Sequence, residues 1–193
     1  MQVVRTFDEL AQVAENVCLA IGVFDGVHRG HQVILQRLVE GAYAAGSPAA
    51  VLTFATHPAV VLGHRDLKCL TTTDERAGLL GALGVDVVIT HPFDKKVAGL
   101  SAAEFMRPLK DRLGLSQLLI GYDFALGKGR EGNTTRLAEI GREMDYTVQV
   151  VDAVSDESGL ISSTVIRKLV SLGDLADAAK MLRRPFREKW KVW

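Results

Sequence analysis

Cysteine is nearly absent: Cys18 and Cys69 are the only two in 193 residues. That excludes a disulfide scaffold and a cysteine-based zinc module, and it sets the expectation of a reduced, cytoplasmic setting. Cys18 falls inside an apolar run and reads as a small core residue. Long hydrophobic runs are missing as well, none approaching the roughly 20 residues of a membrane span. Arg5, Asp8 and Glu9 interrupt any leader-like core near the first residue. Excess charge of one sign is lacking, with 23 Lys+Arg against 23 Asp+Glu. A neutral chain is not a general binder of nucleic acid or membrane surfaces, although a local anion site stays open. There are only 5 prolines and no low-complexity tract, and 48% of the residues are hydrophobic. Such a chain is globular rather than disordered.

What is present is an alternation of apolar runs and amphipathic stretches. Strands are expected at 17–24, 49–54, 85–90, 117–120 and 147–151. Helices are expected at 31–45, from an N-cap at Asp74 to Leu83, from a capping box at Ser101 and Glu104 to about Leu113, and at 134–144. Two more follow, capped by Ser162/Ser163 and by Asp174. Five strands alternating with helices indicate an α/β, Rossmann-like three-layer fold with a mostly parallel five-stranded sheet. Ligands of such sheets sit beyond the carboxyl ends of the strands, at the topological switch point. The basic, aromatic stretch Arg183–Trp193 has no core periodicity and reads as a domain edge.

The first expected strand runs into Gly22-Val23-Phe24-Asp25-Gly26-Val27-His28-Arg29-Gly30-His31. Gly22, Gly26 and Gly30 suit a tight turn. A helix opening after a glycine-rich turn offers its free N–H groups and dipole to anions. His28 and His31, three residues apart, add two imidazole donors, so the turn suits a polyphosphate. A second segment, Ile161-Ser162-Ser163-Thr164-Val165-Ile166-Arg167, opens another helix with hydroxyls and a forked cation. Each has a plainer reading. Ser-Ser-Thr before a helix is first of all an N-cap, and a histidine pair can ligate zinc, but no Cys or His lies nearby in sequence to complete a ligand set. The two segments together, in this order, favour phosphate binding, and no protein metal site is expected.

The Gly-to-His turn is the HxGH arrangement of the nucleotidyltransferase superfamily. Further segments make the chain resemble the FMN adenylyltransferase (FAD synthetase) domain of bacterial bifunctional riboflavin kinase/FMN adenylyltransferases. They are Leu-Thr-Phe-Ala-Thr-His-Pro at 52–58, Leu-Ser-Ala-Ala-Glu-Phe at 100–105, Gly-Tyr-Asp-Phe-Ala-Leu-Gly at 121–127 and Leu-Arg-Arg-Pro-Phe at 182–186. The resemblance implies transfer of AMP from ATP to FMN, giving FAD and pyrophosphate, with Mg2+ accompanying ATP. It implies that His28 and His31 act in the transition state and that Ser163, Thr164 and Arg167 hold the triphosphate. Gly22, Val23, Phe24, Asp25, Gly26, Gly30 and Ser162 would complete the nucleotide side, and Phe54, His57, Pro58, Asp123 and Phe124 the flavin side. Thr56 departs from the proline that commonly precedes the His-Pro pair, which bears on the loop that carries His57. Residues 1–186 would form the adenylyltransferase domain, and 187–193 the tail where the riboflavin kinase domain would begin, so kinase activity is not expected.

Other readings compete. Gly127, Gly129 and Gly132 match G-x-G-x-x-G with Asp152 twenty residues beyond the last glycine, as in dinucleotide oxidoreductases. Ile120, however, is separated from Gly127 by a six-residue excursion, where that fingerprint needs a strand end. A flexible loop is the plainer interpretation, with Lys128 and Arg130 able to close on a substrate phosphate. Related HxGH enzymes with another phosphorylated acceptor, or a non-catalytic flavin or nucleotide sensor, share the turn. Class I aminoacyl-tRNA synthetases carry a similar motif, but this chain lacks a Lys-Met-Ser-Lys-Ser-like loop. His91 is open between a strand-edge residue and a pocket wall. His64 reads as a surface-loop residue, and Trp190 carries no functional reading.

Overall fold

The computed structural model describes residues 1–6, 9, 16–64, 66–156 and 159–185. Six parallel strands form one sheet: β1 (Gln2–Val4), β2 (Val17–Ile21), β3 (Ala49–Phe54), β4 (Val87–His91), β5 (Leu115–Gly121) and β6 (Thr147–Val151). Their order across the sheet is β1-β4-β3-β2-β5-β6. The five expected strands are present, and β1 is a sixth, paired with β4 at Val3 and Val88. At three residues it is too short to show a period. β7 (Ser155–Asp156) and β8 (Gly159–Leu160) form a separate, two-stranded antiparallel pair.

Period-2 alternation divides the buried apolar side chains between the two sheet faces. Val17, Leu19 and Ile21 of β2 pack with Leu52, Ile89, Leu118 and Ile120 beneath α5 (Ala102–Leu113) and α6 (Thr134–Glu143). Cys18 and Ala20 face the other way, with Val51 and Val88, beneath α1 (Arg29–Ala44) and α3 (Thr73–Ala82). All five residues of β2 are buried, as a central strand covered on both sides requires. α7 (Ser163–Ser171) and α8 (Leu175–Leu182) bring a third cluster, Ile161, Ile166, Ala178, Met181 and Leu182, onto Leu70. Short helices α2 (Pro58–Val61) and α4 (Lys95–Ala98) interrupt loops.

The connections from β2 run outward through β3 and β4, whereas β5 lies on the other flank of β2. The switch point therefore falls between β2 and β5, and the cleft opens beyond their carboxyl ends. Two helix starts differ from expectation. α1 begins at Arg29 with His28 as its N-cap, so the strand expected to reach Phe24 stops at Ile21. α3 is capped by Thr72, in a capping box with Glu75, and not by Asp74.

Candidate active site

A cleft of about 820 Å³ lies at the switch point, within the ordinary size range of a small-molecule site. Its walls include the β2–α1 turn, the end of β5, the residues after β6 and the start of α7. From the expected nucleotide set, Gly22, Val23, Phe24, Asp25, His28, Gly30, His31, Ser162, Ser163, Thr164 and Arg167 all line it. Gly26 sits behind them with φ 80° at the third position of the turn Phe24–Val27, closed by Val27 N–H to Phe24 O. That is the dihedral a type II turn requires, and a Cβ there would lie 2.8 Å from the Leu70 side chain.

The two histidines have distinct local roles. His28 Nδ1 accepts the His31 amide N–H at 3.4 Å as the cap of α1. An imidazole whose Nδ1 accepts carries its proton on Nε2, and that N–H is left as a donor. The rings stack with centroids 3.6 Å apart, and Phe24 meets His31 edge-on at 5.2 Å. Burial lowers the His28 pKa to about 4, with Arg184 and Arg167 adding to the effect and Asp25 opposing it. Burial lowers His31 well below its ordinary value, reinforced by His28 and Arg76. Both imidazoles are thus neutral donors before any anion arrives, and the buried His31 Nδ1 has no hydrogen-bond partner among the described residues.

Asp25 is the charged floor of the cleft, 1% exposed. Its carboxylate accepts from the Leu70 and Thr71 amides, from Thr71 Oγ1 and from Arg167 Nη2 at 2.6 Å. Arg167 Nε also donates to Lys68 O. Of the five N–H groups on the guanidinium, these bonds take two, so Arg167 presents part of its fork rather than all of it. Ser163 Oγ donates to Asp25 O at 2.8 Å, which ties the start of α7 to the turn. Ser162 accepts from Val165 N–H as the N-cap, and Thr164 stands exposed on the lip. The starts of α1 and α7 both line the cleft, so two helix N-termini border it.

His57, Asp123 and Phe124 line the same cleft, with His57 near enough to Asp25 and Arg167 to feel both charges. His57 caps α2 by accepting from Ala59 N–H, with Pro58 in the first helical turn, so the loop closes with Thr56 before it. Phe54 lies elsewhere: it is buried in the core, in edge contact with Phe93. Pro58 and His91 are also not among the lining residues, whereas the exposed His64 is. The glycine segment at 127–132 is no dinucleotide turn. It forms a 3-10 turn at Lys128–Arg130, and a Cβ on Gly127 would come within 2.7 Å of Ala102 N. Gly127 and Gly132 serve close packing on Ala102 of α5, and Gly129 takes the left-handed φ of 64°. Arg130 reaches the cleft wall and donates to Asp123 O, but Lys128 is not on that wall.

Three supporting residues received no role from the sequence, although Arg184 lies in the Leu-Arg-Arg-Pro-Phe segment that carries the resemblance. Arg76, 3% exposed, donates to Val23 O and Phe54 O and so clamps the ends of β2 and β3. Thr71 Oγ1 accepts the Gly26 N–H. Arg184 donates to Gly26 O. For Arg76 a signal existed: it shares the helix stripe of the buried Ala77 and Leu80, where a charged residue needs a reason. Among the described residues no group of three or more His, Cys, Asp or Glu could hold a metal ion. No helix among them is long and apolar enough to cross a membrane.

The sequence and the fold are similar to those of known proteins. The protein named bifunctional riboflavin kinase/FMN adenylyltransferase from Pseudomonas fluorescens is 36% identical over 193 residues, covering 100% of this chain and 62% of that one. Its namesake from Listeria monocytogenes is 34% identical over 189 residues, covering 97% and 59%. The chain thus spans about three-fifths of the length of these relatives. Among solved structures, a macrolide-efflux protein from Streptococcus pneumoniae superposes with TM-score 0.83 at 28% identity, over 95% of this chain and 60% of that one. Pantothenate synthetase from Thermus thermophilus shares the fold alone, with TM-score 0.57 at 16% identity, over 95% and 81%. The family model for FAD synthetase matches residues 10–165. The switch-point cleft, its paired histidines and this match lead to one conclusion: the chain belongs to the FAD synthetase family.

Proposed function

We propose that residues 1–186 act as an FMN adenylyltransferase, moving AMP from ATP to FMN to give FAD and pyrophosphate. The observation that carries this reading is the pair of neutral, stacked imidazoles at one helix N-terminus, in a cleft that a second helix N-terminus also lines. The reading places ATP on the α1 and α7 side and FMN on the side of His57, Asp123 and Phe124.

A phosphate oxygen of FMN attacks the α-phosphorus of ATP, and the bond from that phosphorus to the bridging oxygen of pyrophosphate breaks. The attacking oxygen is already anionic, so no general base is required. The chain's task is to align the two phosphates and to stabilise charge on five-coordinate phosphorus and on the leaving group. His28 Nε2–H donates to the reacting phosphate, and its Nδ1 bond to the His31 amide sets the ring's tautomer and direction. His31 adds a second donor from the same face. The first amides of α7 and the remaining N–H groups of Arg167 hold the outer phosphates. Asp25 is saturated by Arg167, Leu70 and Thr71, so the cleft floor offers no cage for magnesium. That donor set fits an ion held by the nucleotide's own oxygens, where it would shield the charge of the triphosphate. Both cysteines are free thiols, which suits a cytoplasmic setting.

The test is a product assay with the purified chain, magnesium and ATP. FMN should yield FAD, whereas riboflavin, which lacks the phosphate acceptor, should yield nothing, and CTP should not replace ATP. Tight binding of FMN and ATP without FAD would identify a sensor. Absence of FMN binding would move the activity to another phosphorylated acceptor.

A further inference from the structure

The turn that carries His28 is strained. Phe24 and Val27 have φ 51° and 41°, and both are buried. For a β-branched residue such as Val27 this region is costly, and it persists only where the surroundings over-determine it. The surroundings act on the carbonyls. Val23 O accepts from Arg76 Nη1 and Thr53 Oγ1, each at 2.8 Å. Asp25 O accepts from Ser163 Oγ. Gly26 O accepts from Arg184 Nη2 at 2.6 Å, and Val27 O from Gln32 Nε2 at 3.0 Å and Arg184 Nη1 at 3.4 Å. With its carbonyls engaged by protein donors, the turn can offer amides and imidazoles to an anion without a competing carbonyl lone pair.

Arg184 comes from far along the chain. α8 ends at Arg183 in the left-handed region, φ 52° and ψ 32°, and this reversal delivers the next residue to the turn. Gln32 Nε2 also donates to Leu182 O, so α1, the turn and the end of α8 are cross-tied. The Leu-Arg-Arg-Pro segment is singled out by sequence, but no substrate contact explains it: Arg184 is not among the residues lining the cleft.

We propose that Arg184 is a positioning residue for adenylyl transfer, its forked guanidinium drawing the Gly26 and Val27 carbonyls back so that His28 stands where the nucleotide phosphates react. The inference rests on the adenylyltransferase reading. Its positive charge behind the turn also favours the neutral form of His28. Lysine cannot bond both carbonyls in one plane, so charge and fork are separable.

The experiment compares the unmodified 193-residue chain with Arg184→Met and Arg184→Lys, each held below its measured melting temperature. It reads kcat and both KM values for FAD formation, with ATP affinity by calorimetry. Arg184→Met should lower kcat on the order of tenfold to a hundredfold, the scale of an ångström-sized misplacement. It should also weaken ATP binding and leave the KM for FMN within about twofold. Arg184→Lys should recover only part of the loss. A Met variant with unchanged kcat and ATP affinity overturns the inference. So does a loss spread equally over ATP and FMN, or one that follows the folded fraction alone. If the unmodified chain makes no FAD, the adenylyltransferase reading fails by itself. Arg184 is then judged by ATP affinity, where an unchanged Met variant overturns its role.

Discussion

Arg167 Nη2 lies 2.6 Å from Oδ2 of Asp25, and the aspartate side of this pair is 1% exposed while the arginine side is 19% exposed. The pair joins the turn after β2 to the first turns of α7, residues 142 positions apart in sequence. A carboxylate so deeply buried is tolerated because the cation and three further donors satisfy it.

Asp25→Asn should therefore destabilise the chain more than its small change of shape suggests. The amide keeps an acceptor for Leu70 or Thr71 but leaves Arg167 without its counter-charge. A loss of about 3 kcal/mol is expected, the scale of breaking one side of a buried pair. Urea denaturation at pH 7 measures it. The double variant Asp25→Asn/Arg167→Met should lose less than the sum of the two single variants, and strict additivity would show that the pair is not coupled.

His28→Asn separates capping from chemistry. Asparagine can still accept the His31 amide as an N-cap, so the start of α1 survives. The Nε2 donor is lost. Turnover should fall by about a hundredfold or more, with the KM for FMN little changed, because the lost bond is one that tightens in the transition state. Steady-state FAD formation checks this, and unchanged turnover would remove His28 from the mechanism.

Much of the fold is legible from periodicity alone. The six residues 49–54 and the five at 147–151 are strands with the expected bounds, and Ser101 with Glu104 forms the expected capping box. The failures have local causes. Thr72 displaces Asp74 as a cap because the reciprocal pairing with Glu75 outweighs a lone acidic side chain. Histidine is not a usual cap, so α1 was expected to start at residue 31 rather than 29. At the site, His28, His31 and Ser163 are legible from spacing. What no local pattern encodes is the set of long-range bonds, Asp25 to Thr71, Arg76 to Val23 and Arg184 to Gly26. The same blindness explains Phe54: its segment resembles a flavin-side motif, but its ring falls on the core face of β3.

Stability should depend on pH through the buried histidines. In the unfolded chain His28 takes up a proton near 6.5, and in the folded chain only near 4. Between those values the unfolded state binds more protons, so the folded state loses stability as pH falls from about 6.5 toward 4 and keeps it above 6.5. The full span corresponds to about 3 kcal/mol for His28. His31 and His57, both lowered by burial, act in the same direction. Urea midpoints between pH 7.5 and 4.5 should show the decline, and His28→Asn should flatten it. A decline of equal size in that variant would assign the effect to other groups.

Gly30→Ala should separate stability from turnover in the opposite sense. Gly30 lies in the first turn of α1, and its φ is not in the left-handed region. Alanine is therefore compatible with the backbone there, and the helix gains up to about 1 kcal/mol of propensity. The new Cβ, however, would stand 3.1 Å from Cε1 and 3.2 Å from Nδ1 of His28. Something must give by a few tenths of an ångström, and the ring is the nearest movable group. Its displacement lengthens the 3.4 Å bond to the His31 amide and turns Nε2 away from the reacting phosphate. The expected variant melts no lower than the unmodified chain yet makes FAD several-fold more slowly, with most of the loss in kcat. Melting curves and FAD formation on the same preparation decide it, and full activity in the alanine variant would show that the His28 ring is not held to the tolerance argued for it.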